Sequence, residues 1–187
     1  AGGDIAPVQE PVVEVPEVAS WSPTFYVGAA YVMVDGEVDG LTPNTIDVEA
    51  NNYAVAAGMV LTPWLAVEGR YSNSMDDLEI DGEAIDGGEA EVAAIFLKPM
   101  YAIADTGLVA YGLLGYANVS IDDDLGNYMD DDGLAYGVGA AYAVTPNVLV
   151  FADWTRLYDD TVEDSSAGLD SADVVVDTIN VGAAYIF

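Results

Sequence analysis

The stretch "LAYGVGAAYAVTPNVLVFA", Leu134 to Ala152, is the longest uncharged run in the chain and decides between helix and strand. By length alone it would suit a membrane-spanning helix. Gly137, Gly139 and the triplet Thr145-Pro146-Asn147 break it, however, and its bulky and small residues alternate. That period of two reads as strand, turn, strand. The pentapeptide inside it, "VGAAY" at Val138–Tyr142, recurs at Val27–Tyr31 and Val181–Tyr185. In each copy Val, the central Ala and Tyr share one face, and Gly and the other Ala share the opposite one. Strands with two apolar faces, one of them tiny, suit a narrow closed barrel whose lumen is filled by side chains.

The same grammar extends along the chain. Eight apolar stretches of strand period run roughly over 24–34, 48–61, 64–74, 90–102, 107–119, 134–144, 148–158 and 174–187. Short turns, "LTPW" (61–64), "ADTG" (104–107) and "TPN" (145–147), alternate with long acidic connections near 35–49, 73–91, 120–133 and 158–177. Of 33 acidic residues, 26 lie in those four connections. The expected fold is all-β: an eight-stranded antiparallel up-and-down barrel over 23–187, preceded by an extended Pro/Val/Glu-rich segment over 1–22. Pro7, Pro11, Pro16 and Pro23 argue against a helix there.

Composition excludes several function classes. The 187 residues contain no Cys and no His, which removes disulfides, thiol chemistry, zinc-finger spacings and His-based triads. With only Arg70, Lys98 and Arg156 as bases and a net charge of −30, the surface would repel nucleic acid. The first residues, "AGGDIAPVQE", lack the basic start and apolar core of a signal peptide, so an exported protein would have this as its mature form.

The few charges inside strands are informative. Strand parity sets Glu68 and Arg70 opposite Leu65, Val67 and Tyr71, Lys98 opposite Leu97, and Asp153 opposite Trp154. All four are expected to point into the lumen, where unpaired charge is costly, and to pair as a structural network. Catalysis by the two carboxylates would need a substrate-sized cleft. Arg156 falls outward beside Trp154, unless a bulge turns it inward. Aromatics gather in two bands: Trp64, Tyr101, Tyr111, Tyr142, Tyr185 and Phe187 toward the short turns, and Tyr31, Tyr53, Tyr71, Tyr136, Trp154 and Tyr158 toward the acidic connections. Such bands mark the two surfaces of a membrane.

On these residues the chain resembles the eight-stranded outer-membrane β-barrel family, the OmpA-like transmembrane domain and its small relatives. The resemblance covers about 24–187, and its most specific element is the closing "NVGAAYIF". It implies that Asn180, Gly182, Tyr185 and Phe187 form the C-terminal signal read by the barrel-assembly machinery. It also implies an outer-membrane location in a Gram-negative bacterium, lipid as the main partner, extracellular acidic loops and periplasmic termini. The expected role is non-enzymatic: a structural or surface-display barrel with no cofactor.

Clusters such as "IDDDLGNYMDDDG" offer Asp122, Asp123, Asp124, Asp130, Asp131 and Asp132 as hard oxygen ligands for weak binding of Ca²⁺ or Mg²⁺. The alternative is solvated charge that prevents aggregation. Because the loops carry no Lys or Arg, contact with lipid phosphates is expected to need divalent cations as bridges. A second functional reading is a self-assembling subunit of an extracellular filament or array. There "PVVEVPEV", within residues 1–21, would add as a strand to a neighbouring barrel. A soluble lipocalin-like barrel is a distant third, since its strands would face polar residues outward.

Overall fold

The computed structural model describes residues 22–39, 46–74, 78–80, 83–85, 89–122, 128–162 and 172–187. Of residues 37–39, 46–49, 78–80, 83–85, 89–90, 121–122, 128–131, 158–162 and 172–174 it describes the backbone alone. The strands are β1 (Thr24–Asp39), β2 (Ile46–Thr62), β3 (Leu65–Ser74), β4 (Leu78–Ile80), β5 (Glu83–Ile85), β6 (Glu89–Ile103), β7 (Leu108–Asp122), β8 (Tyr128–Ala143), β9 (Val148–Val162) and β10 (Ala172–Ile186). All pairings are antiparallel, and β1 pairs with both β2 and β10, which closes the sheet.

The wall is eight-stranded, because four of these elements are pieces of two strands. β3 and β4 run in the same direction along β2, and β4 pairs with β5 just as β3 pairs with β6. The third wall strand thus comprises β3 and β4, and the fourth β5 and β6. Around the short-turn half all eight strands are paired on both sides, while toward the acidic side, among the described residues, β5 pairs with β4 alone and β8 beyond Tyr136 with β7 alone.

The strands outrun their expected ends by several residues on the acidic side. Asp35, Glu37 and Asp39 lie on β1, Asp47 on β2, Glu89 on β6, and Asp159 and Asp160 on β9, all beyond the expected strand ends. The pairing is backbone-driven and continues whatever the side chains carry. Strands of 15–17 residues at ~3.3 Å per residue, tilted by ~40°, rise well above an apolar band ~25 Å tall. The charge thus begins on a strand-built collar.

Alternation sorts the side chains as the pentapeptide requires. Phe25, Val27, Tyr31 and Met33 are exposed on the outer wall, while Tyr26 and Val32 are buried in the lumen. The glycines make the lumen's bulk possible. A Cβ at Gly58 would run into the Tyr26 ring, one at Gly139 into the Tyr111 ring and Asp153, and one at Gly182 into Phe151 and the facing strand. Each lumen ring therefore lies over a glycine of a nearby strand, the pairing that lets aromatic bulk fit a narrow barrel.

Candidate functional site

Glu68 and Arg70 lie two residues apart on β3, so both side chains enter the lumen. Glu68, only 2% exposed, accepts three hydrogen bonds: from Arg70 Nε at 2.6 Å, Lys98 Nζ at 2.7 Å and Tyr26 Oη at 2.5 Å. The other end of the Arg70 guanidinium forms a bidentate pair with Asp153, at 2.8 and 2.7 Å. Asp153 also accepts from Tyr111 Oη at 2.8 Å, Asn180 Nδ2 at 2.9 Å and Thr155 Oγ1 at 3.3 Å.

Two acids and two bases thus balance to zero, and each carboxylate oxygen has a donor. That is the condition under which burying charge is tolerable. The Lys98 ammonium also sits 4.0 Å from the Tyr111 ring centroid and 5.5 Å from that of Tyr26, both within cation–π range. The structure brings Glu68, Arg70, Lys98 and Asp153 into one network. Sequence parity missed its neutral members, Tyr26, Tyr111, Thr155 and Asn180. Counting inward-facing polar and Tyr residues on the strands flanking the charges would have nominated them.

Below the network, toward the short turns, the lumen is packed with apolar groups including Tyr26, Phe151, Met100, Leu149 and Ile186. Above it lies a cavity of about 20 Å³ lined by residues that include Val32, Ser72, Thr155, Thr178 and Asn180. Asn52 is fully buried, and neither polar atom of its amide is hydrogen-bonded.

The outer wall carries an almost unbroken apolar surface, with Val138 62%, Ile95 60% and Leu134 62% exposed. Tyr31, Tyr53, Tyr71 and Tyr136 ring its acidic side, and Trp64, Tyr101, Tyr142, Tyr185 and Phe187 its short-turn side. Tyr111 does not belong to that ring: it is 5% exposed and points into the lumen. The side chain of Tyr158 lies outside the described residues. Carboxylates meet the acidic-side ring directly. Tyr71 donates to Glu91 at 2.7 Å, and Tyr116, also exposed, donates to Asp132.

Arg156 faces outward, above the Trp154 ring, and forms a two-pronged pair with Asp177 at 2.7 and 2.9 Å. A register shift between Val176 and Asp177 sets Asp177 opposite Arg156.

The closing residues have separate geometries. Asn180 and Gly182 face the lumen, the first bonded to Asp153 and the second packed near Phe151. Tyr185 and Phe187 face outward, edge to face at 5.2 Å, and the Phe187 amide bonds to the Phe25 carbonyl at 3.0 Å. Of the acids singled out for cations, Asp123 and Asp124 lie outside the described residues, as do the side chains of Asp122, Asp130 and Asp131. Asp132 is described, with its bond from Tyr116. No group of three or more metal-ligating side chains occurs among the described residues.

A closed antiparallel barrel with its apolar face outward, two aromatic rings and charges held inside is a membrane-spanning β-barrel of outer-membrane type. The chain belongs to the outer membrane protein beta-barrel domain family, whose model matches residues 11–187. Among solved structures it is similar to Ail, the attachment invasion locus protein of Yersinia pestis, at 20% identity and a TM-score of 0.58, over 89% of this chain and 100% of Ail. It is also similar to Neisserial surface protein A, at 15% identity and 0.59, over 88% and 99% of the two chains. The N-terminal β-barrel domain of Pseudomonas aeruginosa OprF matches at 14% identity and 0.55, over 86% and 97%. At these identities the likeness is one of fold. No curated protein matches the chain.

Proposed function

We propose that this outer-membrane barrel is a non-enzymatic, non-conducting anchor that displays its acidic collar outside the cell and keeps both termini in the periplasm. The observation that carries the reading is the Arg70–Asp153 pair in the lumen, with packed apolar groups beneath it. A lumen filled in this way offers neither a diffusion path nor a substrate-sized cleft.

The collar's chemistry bounds its partners. Ail has been solved in complex with the heparin analogue sucrose octasulfate. A polyanion of that kind would be repelled here, since the chain has 33 acids against three bases and none of the bases lies in the acidic connections. Cationic surfaces, or anionic ones bridged by Ca²⁺ or Mg²⁺ held weakly at Asp122–Asp124 and Asp130–Asp132, fit instead. Tyr185 and Phe187, exposed side by side, serve in this reading as the mark recognised by the assembly machinery. No observation among the described residues favours a filament built through residues 1–21.

Reconstitution into a planar bilayer, with protease added to one side, tests the proposal. A silent bilayer with cleavage confined to the acidic end is expected. A steady open conductance, or cleavage within the short turns from that same side, would contradict it.

A further inference from the structure

The apolar outer wall is not evenly clad. A concavity of about 810 Å³ opens in it, walled by Val27, Val55, Tyr71, Ile95 and Tyr116 and floored by Ala57, Gly69 and Ala93. Register explains the floor: Ala57 is directly opposite Gly69, and Ala93 is opposite Tyr71, one pleat toward the acidic end. All three floor residues are exposed, so the hollow faces outward. The hollow is shallow and largely open toward the outside.

Gly69 differs from the lumen glycines. At Gly58, Gly139 and Gly182 a Cβ would strike a ring or a facing strand, whereas at Gly69 the nearest atoms to such a Cβ are backbone oxygens at 3.9 and 4.0 Å. Nothing inside the chain requires a bare backbone there. What the glycine does is deepen the hollow.

The mouth of the hollow toward the collar is polar and anionic. Asn118 lines it, and register sets Asn118 opposite Asp132, while Glu91 accepts from Tyr71 and Asn73. Arg70 contributes to the lining, but its guanidinium, like the Lys98 ammonium, is bonded in the lumen, and Arg156 is on β9 with Asp177, so no cationic group stands at the rim.

We propose that this hollow is a lipid-binding site that takes one acyl chain of a membrane lipid along Ala57, Gly69 and Ala93, with an ammonium-bearing head group, phosphoethanolamine being the simplest, at the Glu91–Asp132 rim. The inference rests on the membrane reading above. The hollow is continuous with the lipid-facing band, which makes a lipid its occupant. The sign of the rim selects a cationic head over a bare phosphate.

The full chain, folded in detergent micelles, is mixed with palmitoyl-oleoyl phosphatidylethanolamine or with the phosphatidylglycerol of the same chains and examined by native mass spectrometry. One phosphatidylethanolamine should remain on the barrel, about tenfold more often than phosphatidylglycerol. Gly69→Leu and Ala57→Leu, which fill the hollow from outside, should each lower that retention by about tenfold. Strand circular dichroism and heat-modifiable migration should stay unchanged. If Gly69→Leu fails to fold, Ala57→Leu carries the comparison. Equal retention of both lipids, or undiminished retention in the folded filled variants, overturns the site. Insertion into vesicles is read separately: a folded chain that does not insert refutes the membrane reading rather than the hollow.

Discussion

Arg70 and Asp153 stand on diametrically opposed strands. Four steps around the wall separate β3 from β9 in either direction, yet the two side chains meet at 2.7 Å in the middle. The pair is a strut across the lumen, and what it closes off is the barrel's bore.

Removing one end of the strut should be costly. Asp153→Ala leaves Arg70 half-paired in a buried setting, and we expect a loss of about 3–5 kcal/mol. The double variant Arg70→Met/Asp153→Leu removes one charge of each sign and leaves the Glu68–Lys98 pair intact. It should lose less than either single variant. Urea unfolding in lipid vesicles measures both, and additive losses would mean that the two residues are not coupled.

Space beneath the lumen rings gives a sharper steric contrast. Gly139→Val would drive a side chain into Tyr111 and Asp153, so the barrel should fail to close and lose its heat-modifiable migration. Gly69→Ala meets only backbone oxygens at ordinary contact distance and should leave stability within about 0.5 kcal/mol of the native chain.

Asn52 is a site of stored cost. Its buried amide has no hydrogen-bond partner, and an orphaned polar group costs about 1–3 kcal/mol. Asn52→Leu, close in volume, is expected to raise stability by about 1–2 kcal/mol. A loss of similar size in the same unfolding assay would show that the amide has a role the network does not reveal.

Cross-strand register pairs acidic residues in the collar at the backbone level: Asp35 opposite Glu49, Glu37 opposite Asp47, and Asp39 opposite Asp173. Directly opposed like charges are destabilising. Raising NaCl from about 0.01 to about 0.5 M shortens the screening length several-fold. Amide exchange over 35–39 should then slow while that over 26–31 stays constant. Uniform slowing along β1 would show a global rather than a collar effect.

The faces of this barrel were legible because Val and Tyr alternate with Gly and Ala, and the four lumen charges followed from the same parity. The strand ends were not. Acidic residues suggest a connection from Asp35 onward, while backbone pairing carries β1 through Asp35, Glu37 and Asp39. Tyr111 was placed in the outer ring because "YGLLGY" is apolar on both faces, with Leu113 buried and Leu114 exposed, so hydropathy alone does not orient it. The Asp177 partner of Arg156 depends on a register shift that skips Leu157 of β9, which no local pattern announces.

The central claim is an inside-out barrel in lipid, and the absence of native cysteine makes it directly measurable. Single cysteines along β8 at 134, 136, 138, 140 and 142, and at inward 135 and 141, would each carry a spin label in vesicle-embedded protein. The outward set should be accessible to dissolved oxygen and shielded from a water-soluble nickel relaxant, with the inward pair shielded from both. Nickel access at 138 and 140 equal to that of a soluble protein's surface would contradict the claim.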